Sequence, residues 1–208
     1  MRSSGPQIVL VRHGETEWAK NGKHTSYSDI PLTLEGERQA AALKGELSDW
    51  DFKLVMCSPR IRAKRTCELA GLLPRAEITD DLAEWNYGDY EGITTKEIRK
   101  TDPTWTVFTS PTPNGETPDQ VAARCDRVIA RAKAIQDDVV LFAHSHILRV
   151  LIARWLELPP VEGRHFVLQT GTINILSYEH ESTVLISLNA ETFRNDPRRD
   201  THPHSTRH

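Results

Sequence analysis

The sequence predicts an α/β fold with a mostly parallel sheet and helices on both faces. Three short apolar runs carry this prediction, at residues 8–11 (IVLV), 54–57 (LVMC) and 139–142 (VVLF). Continuous runs of this length, rich in β-branched residues, are typical of strands buried on both faces of a parallel sheet. Segments with helical character separate the runs, and strands that alternate with helices indicate an α/β layer architecture.

N-cap signals mark two of the predicted helices. Thr33 precedes a predicted helix over residues 34–50. Thr117 combines a capping box with a proline at the first helical position, and it opens a predicted helix that runs to residue 135. The remaining predicted elements are a loop over residues 22–32, helices over 60–73 and 147–156, a short strand near 77–79, and a final pair of strands over 174–178 and 183–186.

The length of 208 residues fits one domain, which we assign to residues 1–194. Residues 86–116 are irregular apart from a helical turn near residues 95–100, and we interpret this segment as a small cap over the site. Its aromatic residues are expected either to shape a pocket or to pack in the core. They are Tyr87, Tyr90, Trp105 and Phe108. Residues 195–208 are polar and are expected to be a disordered tail.

The composition excludes several classes of protein. The 26 Lys and Arg against 29 Asp and Glu give a net charge of -3, which is unlike the basic footprint of a nucleic-acid binder. Three cysteines, an odd number, indicate reduced thiols and no disulfide framework. Without a signal peptide or a long apolar stretch, the chain is expected to be cytoplasmic, with no membrane segment. The histidines near the end are interpreted as a chance cluster and not as a metal site: His202, His204 and His208.

Arginines and histidines follow the ends of all three predicted parallel strands. Arg12 and His13 come directly after the first run, Arg62 lies shortly after the second, and His144 lies just beyond the third. The carboxyl ends of parallel strands meet at one edge of the sheet, where ligands of α/β proteins bind. An isolated Arg-His pair is more often a surface turn, but this convergence predicts an anion site.

These side chains suit the transfer of a phosphoryl group. Arginine matches phosphoryl oxygens with two parallel hydrogen bonds and stays charged. A neutral imidazole is a competent nucleophile, so His13 can form a covalent intermediate, while His144 can stabilise the charge on the transferred group. The leaving oxygen needs a proton, and Glu84 is the candidate donor. This chemistry needs no metal and no other cofactor.

Together the motifs resemble the histidine phosphatase family, in its phosphoglycerate-mutase-like branch. The matching segments follow the family's order between residues 8 and 178: VRHGETEW at 11–18, PLT at 31–33 with Gly36, SP at 58–59 with Arg62, EWNYGDYEG at 84–92, NGET at 114–117, and AH at 143–144. The resemblance implies a phosphoglycerate-mutase-like fold. It also implies phosphorylation of His13, phosphoryl binding by Arg12, Arg62 and His144, acid and base roles for Glu84, and a substrate contact by Thr25.

Two positions depart from the family's pattern. Ala19 stands where the family often has Asn, so one polar contact near the phosphate is missing. Ser145 stands where the family often has Gly after the second histidine. Serine still offers its backbone N–H to a substrate, although it adds a side chain beside the pocket. Neither change removes a catalytic group.

The residue after Glu84 separates hydrolysis from the mutase reaction. Mutases of the resembled family have Arg there, as part of a basic lid that retains the intermediate, whereas this chain has Trp85. A phosphatase must admit water, so hydrolysis of a small-molecule phosphate ester is favoured and phosphoglycerate mutase is the alternative. A catalytically silent binding protein is disfavoured, because such a protein would be expected to lack a catalytic residue. This chain retains all four: His13, Arg62, Glu84 and His144.

Residues 84–92 and 142–149 are most similar to the sedoheptulose-bisphosphatase subgroup. That resemblance implies that Tyr87 and Arg149 join the substrate site and that the substrate is a sugar phosphate or sugar bisphosphate. His24 stands where the subgroup often has tyrosine. His24, Arg149 and Lys96 are therefore the candidates for contacts to a second anionic group.

Overall fold

The structure, a computed structural model, describes residues 5–190 of the chain. Its strands are β1 (Ile8–Arg12), β2 (Leu54–Cys57), β3 (Ala76–Ile78), β4 (Val139–Ala143), β5 (Ile173–Glu179) and β6 (Ser182–Ala190). Its α-helices are α1 (Glu17–Lys20), α2 (Leu34–Leu47), α3 (Ile61–Leu69), α4 (Thr95–Ile98), α5 (Pro118–Ile135) and α6 (Ser145–Trp155).

The predicted elements are present, and most of the differences lie at helix ends. The helix predicted over residues 60–73 stops at Leu69, because Gly71 adopts a left-handed backbone with φ of 80°. The helix predicted over residues 34–50 stops at Leu47, where the hydroxyl of Ser48 donates to the carbonyl of Gly45 at 2.7 Å. The short α1 had not been predicted, because one helical turn carries no periodic signal.

All six strands form one sheet in the order β3-β2-β4-β1-β5-β6. The first four of these pair in parallel, whereas β5 pairs antiparallel with β1 and with β6. The antiparallel pair β5 and β6 is joined by a tight turn, which favours this hairpin arrangement. The prediction of an α/β fold with a mostly parallel sheet is confirmed.

The parallel strands β1, β2 and β4 contribute alternate side chains to two cores. In β1, Ile8 and Leu10 face one core, and Val9 and Val11 face the other. The first core contains side chains of α5 and α6, and the second contains side chains of α2 and α3. Helices therefore cover both faces of the sheet, which explains why the sequences of these strands are unbroken apolar runs.

Residues 86–116 pack against the face that carries α5 and α6. Trp105, Val107 and Phe108 are all buried in that core. The interpretation of this segment as a cap, and of residues 1–194 as one domain, stays a prediction. The predicted tail at residues 195–208 and its histidines lie outside the described residues.

The pairing of β1 with β4 sets the position of the two key histidines. Arg12 at the end of β1 is the register partner of Ala143 at the end of β4. The backbone N–H of His13 then donates to the carbonyl of Ala143 at 3.0 Å. His13 and His144 consequently leave the sheet side by side, and their ring centroids are 5.1 Å apart.

A close contact of two glycines fixes the loop that carries His13. A Cβ on Gly14 would lie 2.2 Å from the carbonyl oxygen of Gly36, and a Cβ on Gly36 would lie 2.1 Å from that of Glu15. The loop therefore packs directly on the first turn of α2. The hydroxyl of Thr66 on α3 also accepts from the backbone N–H of Gly14 at 3.1 Å.

Within residues 5–190, no helix combines the length and the apolar character that a bilayer crossing requires. The three cysteines are buried and free.

Candidate active site

A cleft of about 170 Å³ lies beyond the carboxyl ends of β1 and β4. It is lined by seven of the residues that the sequence nominated: Arg12, His13, His24, Thr25, Glu84, Tyr87 and Ser145. Arg62 and His144 lie behind His13, and Arg149 lines an adjoining cleft. The tertiary structure thus brings the nominated residues into one region.

His13 is held as a neutral imidazole, and no hydrogen bond among the described residues uses its second ring nitrogen. Its side chain is buried, and Nδ1 lies 2.7 Å from the carbonyl oxygen of Gly14. A carbonyl can only accept, so Nδ1 carries the proton and Nε2 keeps its lone pair. Burial, followed by the charges of Arg62 and Arg12, lowers the pKa of His13 well below its usual value. A neutral imidazole of this kind is the form that a nucleophile requires.

Arg12 lines the cleft, and not all of its guanidinium donors are used within the described residues. Its Nη1 donates to the carbonyl of Leu168 at 2.5 Å. Its Nε is buried and has no hydrogen-bond partner among the described residues. A buried donor left without a partner costs about 1–3 kcal/mol, so an anionic oxygen bound here would relieve that cost.

Arg62 is completely buried and is held by backbone carbonyls. Its two terminal nitrogens donate to the carbonyl oxygens of Thr25, Ser26 and Ser28 at distances of 3.0, 3.0 and 2.9 Å. Its Nε donates to Nδ1 of His144 at 3.1 Å. The guanidinium is therefore locked in position beside the two histidines.

Glu91 holds the loop that binds Arg62. Its carboxylate accepts from the backbone N–H of Ser26 at 2.9 and 3.0 Å, and from that of Ser28 at 3.1 Å. This carboxylate thus helps to hold the conformation that points three carbonyls at Arg62. The sequence motif includes Glu91, but carbonyl ligands carry no side-chain signal, so this arrangement could not be predicted.

Both ring nitrogens of His144 are engaged. Because Nδ1 accepts from Arg62, the proton of the neutral ring is on Nε2, which donates to the hydroxyl of Ser58 at 2.7 Å. Burial, followed by the charge of Arg62, lowers the pKa of His144 well below its usual value. A phosphoryl oxygen would compete with Ser58 for the Nε2 proton.

The carboxyl group of Glu84 is fixed at the N-terminus of α6. It accepts from the backbone N–H groups of His146 at 3.0 Å, Ile147 at 2.9 Å and its neighbour Trp85 at 2.9 Å. Ser145 is the first residue of the same helix and also lines the cleft. The helix therefore positions both Glu84 and the residue after His144.

His24, Tyr87 and His146 form a compact aromatic group at one side of the cleft. The ring centroid of His24 is 4.7 Å from that of Tyr87 and 6.2 Å from that of His146. The hydroxyl of Tyr87 is 2.6 Å from Nδ1 of His146. Sequence reasoning missed His146; the available signal was its place two residues after His144, inside the first turn of α6.

A second cleft of about 340 Å³ shares His24, Thr95 and His146 with the first. Its lining contains three arginines and no carboxylate: Arg99, Arg149 and Arg164. Lys96, nominated from the sequence for a second anionic group, is exposed on α4 and lines neither cleft. Of the aromatic residues predicted either to shape a pocket or to pack, three do both: Tyr87, Trp105 and Phe108.

Arg149 is held at the wall of this second cleft. It donates to the carbonyl oxygens of Gly163 at 3.1 Å and Arg164 at 3.0 Å, and its guanidinium lies 4.7 Å from the ring centroid of Phe108. Within residues 5–190, neither Arg149 nor Arg99 forms a salt bridge with a carboxylate, and no cluster of His, Cys, Asp and Glu could hold a metal ion.

Comparison with known proteins agrees with the geometry. The fold is that of phosphoglycerate-mutase-like α/β proteins. The profile of the histidine phosphatase superfamily (branch 1) matches residues 8–191, so the chain belongs to this superfamily. The predicted family and enzyme class, a phosphoric monoester hydrolase, are confirmed.

Two curated relatives and one solved structure illustrate the similarity. The chain is 43% identical over 179 residues to an acid phosphatase of Mycobacterium tuberculosis, covering 84% of this chain and 87% of the relative. It is 33% identical over 228 residues to sedoheptulose 1,7-bisphosphatase of Saccharomyces cerevisiae, covering 93% and 82%. A solved structure of an open reading frame product of Mycobacterium tuberculosis aligns with a TM-score of 0.86 and 39% identity, covering 90% and 98%.

Proposed function

We propose that this chain hydrolyses phosphate monoesters of small metabolites through a phosphohistidine on His13, with Glu84 as the proton donor. One observation carries the proposal. The Nδ1–H of His13 is committed to the carbonyl of Gly14, which leaves Nε2 without a hydrogen-bond partner among the described residues, in a cleft that Arg12 also lines. A buried nucleophile in the same cleft as a cationic donor suits attack on an anionic phosphoryl group.

The first half of the reaction forms a phosphoenzyme. Nε2 of His13 attacks phosphorus, the bond between phosphorus and the ester oxygen breaks, and Glu84 gives its proton to the leaving oxygen. In the second half, Glu84 takes a proton from water, whose oxygen attacks phosphorus and breaks the P–N bond. Inorganic phosphate leaves, and both residues return to their starting states.

The buried cations have two roles in this scheme. Burial lowers the pKa of His13, and the charges of Arg62 and Arg12 lower it further, which keeps the nucleophile unprotonated. The same charges stabilise the negative oxygens as the phosphoryl group is transferred. Arg62 acts from a rigid position, because its donors are already bound to three carbonyls and to His144.

The second cleft supports a substrate with a second anionic group. Arg99 and Arg149 face a cleft that joins the first through His24 and His146, and its lining holds no carboxylate. A sugar bisphosphate would place one phosphate at His13 and the other among these arginines. The yeast relative, a sedoheptulose 1,7-bisphosphatase, supports this substrate class.

The first test is release of inorganic phosphate from a panel of sugar mono- and bisphosphates without added metal. Wild type should release phosphate, and His13→Ala should not. The exposed His180 lies in the turn between β5 and β6, at the opposite edge of the sheet, so His180→Ala is the matched control. An alkaline quench should trap acid-labile phosphohistidine in wild type and not in His13→Ala.

The second test concerns the second anionic group. Arg149→Ala should raise KM for bisphosphates and leave KM for monophosphates unchanged. Arg154→Ala is the control on the same helix, since Arg154 pairs with Asp126 away from both clefts. Equal effects on both substrate classes would contradict the second subsite.

The mutase alternative gives a different product. If wild type released no phosphate from any ester and isomerised phosphoglycerate instead, the hydrolase proposal would be overturned in favour of the mutase.

A further inference from the structure

Two histidines stand where the two clefts meet, and the proposed mechanism uses neither of them. His24 and His146 line both clefts. Their rings are stacked with an interplanar angle of 15°. A substrate that extends from His13 into the second cleft therefore runs along the edges of these two rings.

The tautomer of His24 is set by a carbonyl. Its Nδ1 lies 2.8 Å from the carbonyl oxygen of Ile93, which can only accept, so Nδ1 carries the proton. Nε2 of the neutral ring then holds a lone pair. No hydrogen bond within residues 5–190 uses that lone pair, and His24 lines the clefts.

The tautomer of His146 is set by Tyr87. The phenol of Tyr87 is buried, and the acceptor found for its O–H among the described residues is Nδ1 of His146, at 2.6 Å. A phenol is the better donor of this pair and an imidazole the better acceptor, so Tyr87 donates. The remaining proton of His146 is therefore on Nε2, which has no partner within residues 5–190.

Both imidazole rings are neutral at neutral pH. Burial lowers the pKa of His24, and burial followed by the charge of Arg149 lowers the pKa of His146 well below its usual value. Burial also raises the pKa of Tyr87, which keeps the phenol protonated as a donor. The pair thus offers one uncharged acceptor and one uncharged donor.

We propose that His24 and His146 recognise hydroxyl groups on the carbon chain of the substrate, His24 by accepting a hydrogen bond and His146 by donating one. A hydroxyl group can satisfy both partners, whereas a methylene or an aromatic ring satisfies neither. The inference rests on the proposed function, because it states which groups the enzyme recognises between the two ends of that substrate. It makes polyhydroxylated phosphate esters the preferred class, and Tyr87 a positioning residue.

The kinetic test compares kcat/KM for a set of sugar phosphates with that for phenyl phosphate, which carries the reacting group and no hydroxyl. His24→Phe and His146→Phe should each lower the ratio of sugar phosphate to phenyl phosphate by about three- to tenfold, the loss of one hydrogen bond. Hydrolysis of phenyl phosphate should fall less than hydrolysis of the sugar phosphates. His180→Phe is the control and should leave the ratio unchanged.

The tautomer test does not depend on activity. Nitrogen-15 NMR of the histidine rings should show the proton on Nδ1 for His24 and on Nε2 for His146. In Tyr87→Phe, His146 should lose its fixed tautomer, and the substrate ratio should fall even though both histidines remain. Because Tyr87→Phe leaves both histidines in place, it still tests the proposal if a histidine substitution disturbs folding.

The outcomes separate this inference from the proposed function. If wild type failed to hydrolyse phenyl phosphate and every sugar phosphate, the proposed function and this inference would both be overturned. If the variants kept the wild-type ratio, or lost both substrate classes equally, the inference alone would be overturned. A proton on Nδ1 of His146 in wild type would also overturn it.

Discussion

Nε of Arg62 donates a hydrogen bond to Nδ1 of His144 at 3.1 Å, deep inside the protein. This bond fixes the tautomer of His144 and couples a cation from α3 to a residue at the end of β4. The bond depends on the geometry of the guanidinium group and not on its charge alone.

Arg62→Lys should therefore lower kcat/KM strongly although the charge is kept. A lysine has one compact ammonium group and cannot bind three carbonyls and an imidazole at once. Loss of one preorganised charge-stabilising contact costs about 10²- to 10³-fold in rate, and we expect a decrease of that order. Arg65→Lys on the same helix, at an exposed ion pair, is the control. Equal activity of the two variants in a phenyl phosphate assay would contradict the role of Arg62.

Glu91→Gln should weaken both stability and activity without any contact to substrate. The carboxylate of Glu91 accepts from the backbone N–H groups of Ser26 and Ser28, and a glutamine amide would turn a donor toward them. We expect a loss of about 1–3 kcal/mol in the free energy of unfolding, measured by urea titration, and a lower kcat. The exposed Glu181 gives the control Glu181→Gln. If Glu91→Gln kept the wild-type stability and kcat, the loop that binds Arg62 would not need the carboxylate of Glu91.

Glu84→Gln should discriminate between leaving groups. Alkoxide leaving groups need a proton, so hydrolysis of an alkyl phosphate should slow by about 10²- to 10⁴-fold. A nitrophenolate leaves without one, so p-nitrophenyl phosphate should be affected far less in the step that forms the phosphoenzyme. Burst kinetics on the two substrates would measure this step. Equal slowing of both would argue against Glu84 as the acid.

The glycine contact behind the nucleophile gives a prediction with an internal control. Gly36→Ala would place a Cβ 2.1 Å from the carbonyl oxygen of Glu15, and should destabilise the fold by about 1–3 kcal/mol and displace the His13 loop. Gly45→Ala in the same helix meets no atom within 4 Å, and should stabilise the fold by about 0.5–1 kcal/mol. Thermal unfolding of both variants checks the opposite signs. Similar effects of the two would refute the steric argument.

The buried histidines should make the fold less stable in mild acid. The pKa values of His13, His144 and His146 are all below the usual 6.5 in the folded state. Well above pH 6.5 both states are neutral at these sites. As the pH falls through 6.5, the unfolded chain gains protons that the folded chain does not, so unfolding becomes easier. Tm should therefore fall as pH drops from 6.5 toward 5, and less steeply in His146→Phe than in wild type. A wild-type Tm that stays constant over this pH range would contradict the prediction.

Much of the fold could be predicted from the sequence, because the sequence patterns that indicate it are local. The apolar runs at residues 8–11, 54–57 and 139–142 predicted β1, β2 and β4, because strands buried on both faces need unbroken apolar sequence. The capping box at Thr117 predicted α5 with its observed bounds, because that signal consists of neighbouring residues. Helix ends set by a backbone conformation, as at Gly71, were predicted less well.

The sequence by itself determined which chemical groups are available and at which strand ends they lie: Arg12 and His13 after β1, and His144 after β4. Only the tertiary structure decided how those groups are presented. The tautomers of His13, His24 and His144 depend on partners that are backbone carbonyls or distant side chains. The arginine cleft beside His146 depends on residues from separate segments that meet only when the chain folds, because hydrogen bonds and clefts are properties of positions in space and not of spacing along the chain.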